Sequence, residues 1–178
     1  MRYGRQLLRW TGVLLGTIIV LTGCTYDTAV QRLSLPEQAE FHTYSKVMTG
    51  VQAHTYLAKA SAAERTAYLQ QIGLAQRFQA LDPQDREAVL GGVPRVGMSA
   101  EALLFLWGSP YYTAGDARRY AHWHYLGSSF ALAAYGNRHS NSGTRVDVYL
   151  VDGHVVGWVD YGLTDHGDSG GRGDRPQP

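Results

Sequence analysis

Residues 144–161, TRVDVYLVDGHVVGWVDY, contain the pattern that decides the fold. Two runs rich in valine and aromatic residues flank the dipeptide Asp152-Gly153. Asp-Gly between alternating hydrophobic residues is the strongest short-range signal for a β-hairpin with a two-residue turn. The sequence therefore predicts an antiparallel strand pair at residues 144–151 and 154–161.

A regular ladder built outward from that turn assigns each side chain to one face of the hairpin. It pairs Val151 with His154 and Leu150 with Val155, because the turn fixes the register. Farther from the turn it pairs Val148 with Gly157, and Val146 with Val159. The face expected toward the core then holds Val146, Val148, Leu150, Val155, Val159 and Tyr161.

The opposite face of the predicted hairpin carries Tyr149, Val156 and Trp158 among charged residues. A fully solvated strand face seldom places a tryptophan beside a tyrosine, so these three residues form a candidate surface for a protein partner. An alternative is that the long connection 127–143, with Phe130, Leu132 and Tyr135 in it, folds over this face.

The segment before the hairpin predicts a buried helix and a further strand. Ser99 is a suitable helix N-cap, and the following ALLFLW (residues 102–107) is apolar on every side, so the helix must be covered by both a sheet and other helices. Gly108 and Pro110 end it. Residues 119–126 then alternate, which predicts a third strand with Trp123 and Tyr125 on one face.

Residues 43–92 are predicted to form two or three short amphipathic helices. Ser61 and Glu64 have the spacing of a capping box, and Asp82-Pro83 is typical of an N-cap followed by proline in the first helical position. Helices followed by a three-stranded antiparallel sheet place the chain in the α+β class.

His122 and His124 lie on one face of the predicted strand, as two metal ligands would. A site needs at least a third ligand, and His139 or His154 could supply it. An ordinary polar strand face explains the same residues, so we expect no metal site and no cofactor.

Composition and motifs exclude several function classes. The formal charge is only +1, from 16 basic and 15 acidic residues, so the basic footprint of a nucleic-acid-binding protein is missing. The sequence has no Gly-x-Ser-x-Gly motif, its one cysteine has another predicted role, and its carboxylates are scattered. We therefore expect no enzymatic activity.

The amino terminus has the pattern of a bacterial lipoprotein signal peptide. Three arginines precede a short apolar stretch at residues 11–21, which is too short to span a bilayer. Leu21-Thr22-Gly23-Cys24 follows it and resembles a lipobox. We expect residues 1–23 to be removed and Cys24 to be acylated. The alternative is an unacylated periplasmic or secreted protein with an unpaired cysteine.

The predicted lipoprotein would attach to the bilayer through its acyl chains, because the mature chain is weakly acidic. Thr25, in place of aspartate after the cysteine, favours the outer membrane. Residues 24–42 are expected to be a tether, and the Gly-, Asp- and Pro-rich residues 162–178 a disordered tail.

The order of motifs in residues 94–161 resembles the SmpA/OmlA (BamE-like) lipoprotein domain. Gly97-Met98-Ser99 is similar to the helix start of that family, Trp107-Gly108-Ser109-Pro110 to its helix end, and Trp123-x-Tyr125 to the strand before its final hairpin. The helical segment 43–92 and the long connection 127–143 depart from the family pattern.

The resemblance implies a two-layer sandwich, with short helices on one face of the three-stranded sheet, for residues 93–161. It also implies an accessory role in envelope assembly or maintenance, in which the domain contacts another envelope protein. The alternative is a small periplasmic module that binds a ligand or inhibits an enzyme, through a cleft lined by Tyr135, Trp123 and His124.

Overall fold

The computed structural model describes residues 24–116, 119–136 and 144–161 of the chain. These residues form an α+β fold of helices and one antiparallel sheet. The elements are α1 (Cys24–Gln31), α2 (Leu35–Ser45), α3 (Gly50–Leu57), α4 (Ala62–Gln71), α5 (Leu74–Gln79), α6 (Pro83–Gly91), α7 (Ala100–Trp107), β1 (Tyr112–Asp116), β2 (Tyr120–Leu126), α8 (Ser129–Tyr135), β3 (Arg145–Val151) and β4 (His154–Tyr161).

Two predictions made for the chain ends lie outside the described residues. They are the signal peptide at residues 1–23 and the disordered tail at residues 162–178. Among the described helices, none combines the length and the apolar character needed to cross a membrane.

The tether predicted for residues 24–42 is wrong, because α1 and most of α2 occupy this stretch. Leu33 and Phe41 from it are buried in the core. Pro36 does not interrupt the structure, since it lies in the first turn of α2, where the missing N–H has no helical partner in any case.

Residues 43–92 are helical as predicted, but they form the four helices α3 to α6 and the end of α2, so the predicted number of two or three is wrong. The Ser61 hydroxyl accepts a hydrogen bond from the backbone N–H of Glu64, and the Asp82 carboxylate accepts one from that of Gln84. Both caps were expected from the sequence because they depend on residues only two or three positions apart.

The sheet has four strands in the order β1-β2-β3-β4, all antiparallel, so the prediction of three strands is wrong. The strand that was missed is β1, whose sequence YTAGD lacks a hydrophobic alternation. Gly115 lies within it at a φ of 85°, and an added Cβ there would be 2.3 Å from the carbonyl oxygen of Tyr120. This strand therefore pairs closely with β2 only because residue 115 is glycine.

The predicted register of the final hairpin is correct beside the turn and wrong beyond it. Val151 pairs with His154 and Leu150 with Val155, but the ladder then shifts at a β-bulge. Val156 is the extra residue, because Tyr149 pairs with Gly157. The bulge reverses the facing of every later β4 residue relative to the regular ladder.

One core joins the helices to one face of the sheet. Helix α7 is its centre, as its apolar sequence predicted, and Phe105 and Trp107 are fully buried. Phe105 packs against Tyr44 and Phe78 from the amino-terminal helices, at 6.0 and 5.5 Å between ring centroids. Trp107 packs on Tyr125 of β2. Residues 43–92 therefore complete the core of the carboxy-terminal half.

Candidate functional site

The face of the sheet opposite the helical core is called the outer face. Directly paired residues share a face, so the register assigns its side chains without ambiguity. The polar and aromatic members of the outer face are Tyr112, Asp116, Tyr120, His122, His124, Arg145, Asp147, Tyr149, His154 and Tyr161.

His122, His124 and Asp147 form a histidine–aspartate cluster near the middle of the outer face. Asp147 lies opposite His124 in the β2–β3 ladder, and His122 is two residues away on the same face. The distance from His124 Nδ1 to Asp147 Oδ1 is 2.8 Å, and that from His122 Nε2 to Asp147 Oδ2 is 3.6 Å. Each carboxylate oxygen therefore faces one imidazole.

Burial governs the electrostatics of this cluster. Asp147 is only 3% exposed although it lies on the outer face, and the Arg145 guanidinium lies beside it, with Nε 3.3 Å from Oδ1. Burial lowers the pKa of His122 below its usual 6.5, and the neighbouring His124 lowers it further. His122 is therefore neutral at pH 7, with a nitrogen lone pair available to a ligand.

Aromatic side chains hold the two imidazoles in place. The Tyr149 ring stacks on His122 with centroids 4.5 Å apart and planes 16° from parallel, and Tyr112 lies 5.5 Å from His124. Burial also raises the pKa of Tyr149 above 10, so its hydroxyl stays neutral. The rings leave each imidazole few orientations, which is the condition for a preorganised polar site.

The three residues predicted as a partner surface do not share one face. Tyr149 lies on the outer face, but Trp158 pairs with Val148 and packs against the core. Val156 is the exposed bulge residue between them. The prediction that the three residues share one face is wrong, because the bulge reverses the alternation of side chains after Val155.

The described part of the connection 127–143 does not cover the outer face. Within α8, Leu132 is buried in the helical core, whereas Phe130 is 81% exposed. The side chain of Tyr135 lies outside the described residues. Trp123 and His124 lie on opposite faces of β2, so the cleft that both were predicted to line does not form.

Of the two histidines considered as a third ligand, His154 does not join the cluster. His154 begins β4, and its Nδ1 lies 2.9 Å from the carbonyl oxygen of Asp152. His139 lies outside the described residues. The residue that sequence reasoning missed is Asp147, because the β2–β3 register depends on a long connection rather than on a turn with a recognisable sequence.

A separate cleft of about 760 Å³ lies between the amino-terminal helices and residues 108–111. Lys46 lines it and donates a 2.7 Å hydrogen bond to the carbonyl oxygen of Ala133. Burial lowers the pKa of Lys46 to about 8. This hydrogen bond connects α2 to α8, which gives Lys46 a role in joining the two halves of the core.

The comparisons with known proteins identify no relative. No protein-family model, no curated protein and no solved structure matches this chain. The resemblance of residues 94–161 to the SmpA/OmlA (BamE-like) domain therefore stays a prediction from the motifs in the sequence.

Proposed function

We propose that this chain is an outer-membrane lipoprotein that acts as an accessory interaction module in the bacterial envelope. Acylated Cys24 would hold it at the bilayer, and the two-layer arrangement of helices on a sheet would present the outer face to a protein partner. The observation that carries the proposal is that this face is not covered by any described element and holds exposed aromatic side chains.

The exposed aromatic residues lie on the two edge strands, β1 and β4, and at the start of the inner strand β2. Tyr112 on β1 is 58% exposed, Tyr120 on β2 51% and Tyr161 on β4 42%. Tyrosine is enriched in protein interfaces because it combines a large apolar ring with a polar hydroxyl and loses little side-chain entropy. A partner that packs on this face would cover these rings and would lie over the histidine–aspartate cluster between them.

The position of the anchor favours the same proposal. Helix α1 begins at Cys24, and Tyr26 within it contacts Phe41 of α2, at 5.9 Å between ring centroids. An acylated Cys24 would therefore hold the folded body close to the lipid surface, with no long spacer between them. Such a body has access to partners in the same membrane rather than to distant ones.

Site-specific photo-crosslinking in intact cells tests the proposed surface. A photoreactive phenylalanine analogue is placed at Tyr120 or Tyr161 and, as the control, at Phe130, an aromatic residue on α8 that is more exposed than either tyrosine. We expect the same discrete protein adduct from both outer-face positions and none from Phe130. An adduct from Phe130 alone, or no adduct at either tyrosine, would contradict the proposal.

A double Tyr120→Ala and Tyr161→Ala variant provides the second readout. We expect it to reduce the yield of an adduct formed from a crosslinker at Tyr112, because the partner loses two of its three aromatic contacts. Phe130→Ala should leave that yield unchanged.

A further inference from the structure

We propose that the histidine–aspartate cluster binds a divalent transition-metal ion, with zinc the best fit, through His122 Nε2, His124 Nδ1 and the Asp147 carboxylate. This inference concerns the outer face alone and does not depend on the lipid anchor or on a protein partner.

The spacing of the donor atoms suits one ion. A ligand atom from each residue lies within 4.8 Å of the others. A tetrahedral zinc ion with bonds of about 2.0–2.1 Å separates its ligand atoms by about 3.3 Å. The two carboxylate–imidazole distances, 2.8 and 3.6 Å, lie on either side of that value. The two distances end on different carboxylate oxygens, so side-chain rotations would bring the three donors onto one ion.

An unsatisfied buried atom points to the ion. His122 Nε2 is buried and has no hydrogen-bond partner. The 3.6 Å that separates it from Asp147 Oδ2 is too long for a hydrogen bond. A buried polar atom is normally paired, and exceptions need an explanation. A metal ion between these two atoms would satisfy both, and it would replace the hydrogen bond that now joins His124 to Asp147.

The charges around Asp147 favour the binding of a cation. Asp147 is nearly fully buried, and a buried carboxylate needs positive charge close to it. Arg145 supplies part of this charge, but its side chain is half-exposed and lies over the Tyr161 ring, 4.4 Å from the centroid. Arg145 is therefore shared between Asp147 and the Tyr161 ring and does not enclose the carboxylate.

The donor set also selects the metal. Two imidazoles and one carboxylate suit zinc and other first-row transition metals, whereas magnesium and calcium prefer oxygen ligands alone. Three protein ligands leave at least one coordination position for water or for a ligand from outside the chain. The outer face is exposed around the cluster, so that position would be accessible.

Isothermal titration of the full chain in detergent with zinc chloride alone tests the proposal. We expect one ion per chain, with affinity weakened by more than about tenfold in His122→Ala, His124→Ala and Asp147→Asn. His154→Ala is the matched control and should bind as the parent chain does. Equal loss in His154→Ala, or unchanged binding in Asp147→Asn, would overturn the assignment.

A measurement on the unaltered chain keeps the test decisive if a variant fails to fold. Nitrogen-15 spectra of the imidazole side chains should show zinc-dependent shifts at His122 Nε2 and His124 Nδ1. Shifts confined to the other five histidines, which are His42, His54, His139, His154 and His166, would identify an adventitious site and would overturn the proposal. Titration with magnesium chloride should leave all of these signals unchanged.

Discussion

At the scale of single residues, some polar and charged side chains bind partners that are close in the sequence, and others bind partners that are far away. Caps such as Ser61 and Asp82 were predicted because their partners are close in sequence. Glu37 also accepts local hydrogen bonds, from the backbone N–H and hydroxyl of Ser34. Its second partner is Arg65, 28 residues away and nearly fully buried, with Nε 3.1 Å from Glu37 Oε1. No local pattern could predict that pair.

The Glu37 pair should make stability depend on acid pH. The Ser34 hydroxyl and the Arg65 guanidinium lower the pKa of Glu37 from 4.5 to about 2. Between these values the unfolded chain binds more protons than the folded chain, so the free energy of unfolding should fall as the pH is lowered through this window. We expect Glu37→Gln to lower the melting temperature at pH 7 and to flatten this decline.

The control for this prediction is Glu87→Gln, which changes an exposed carboxylate on α6. Thermal melts followed by circular dichroism from pH 7 to pH 2 compare the two variants with the parent chain. The same pH slope in Glu37→Gln and in the parent would show that the Glu37 carboxylate does not stabilise the fold through its charge.

The same distinction explains what could be predicted of the candidate site. The alternation in β2 was sufficient to place His122 and His124 on one face. The partner Asp147 is 23 residues from His124, across a connection that has no diagnostic turn sequence. The sequence contains each residue of the cluster but no local pattern that sets the β2–β3 register.

At the scale of elements, the bulge in β4 determines which side chains enter the core. The turn Asp152-Gly153 was predicted because its chemistry is specific. The bulge was not predicted, because Val156, Trp158 and Val159 are all apolar. The strand would therefore present a hydrophobic side to the core whether Trp158 or Val159 faced it. The observed facing packs Trp158 against the core and leaves Val159 41% exposed on the outer face.

Because of the bulge, we expect Trp158→Ala to destabilise the fold more than Val159→Ala. A regular ladder would predict the opposite order. Trp158→Ala should lower the free energy of unfolding by about 1–3 kcal/mol, because it removes a half-buried ring from the core. Val159→Ala should change it by less than about 0.5 kcal/mol, because that side chain lies on the outer face. Chemical denaturation of both variants checks this, and a larger loss in Val159→Ala would contradict the observed register.

At the scale of the whole molecule, the described helices ahead of the sheet share one core with it and are not a separate unit. Hydrophobic patterning predicted helices at residues 43–92, but it could not predict which elements pack against their apolar faces. Tyr44 and Phe78 meet at Phe105 of α7, so the core is shared between segments far apart in the sequence. Neither half buries these rings without the other.

The proposed anchor is a property of the whole molecule, because it determines where the folded body is held. We expect the parent chain to incorporate a palmitate analogue and to fractionate with outer membranes. Cys24→Ser should abolish labelling and release the protein into the soluble fraction, because acyl chains rather than charge hold it at the bilayer. Mass spectrometry that finds an unmodified Cys24 thiol in the native protein would contradict the prediction.

Thr25→Asp is the matched control for that experiment. It keeps Cys24 and should keep the label, but aspartate at this position should move the protein from the outer to the inner membrane. Labelled Thr25→Asp protein with unchanged fractionation would leave acylation intact and contradict only the prediction about sorting.

The meander order of the strands also has a consequence for how the chain reaches its native state. Every strand pairs with its neighbour in sequence, so the sheet can assemble by closing two short loops and the longer connection between β2 and β3. The rings of Tyr44 and Phe105, by contrast, meet across about sixty residues, and contacts at such separation slow folding. The sheet and α7 should therefore serve as the template, with the amino-terminal helices condensing onto it in the last and slowest step.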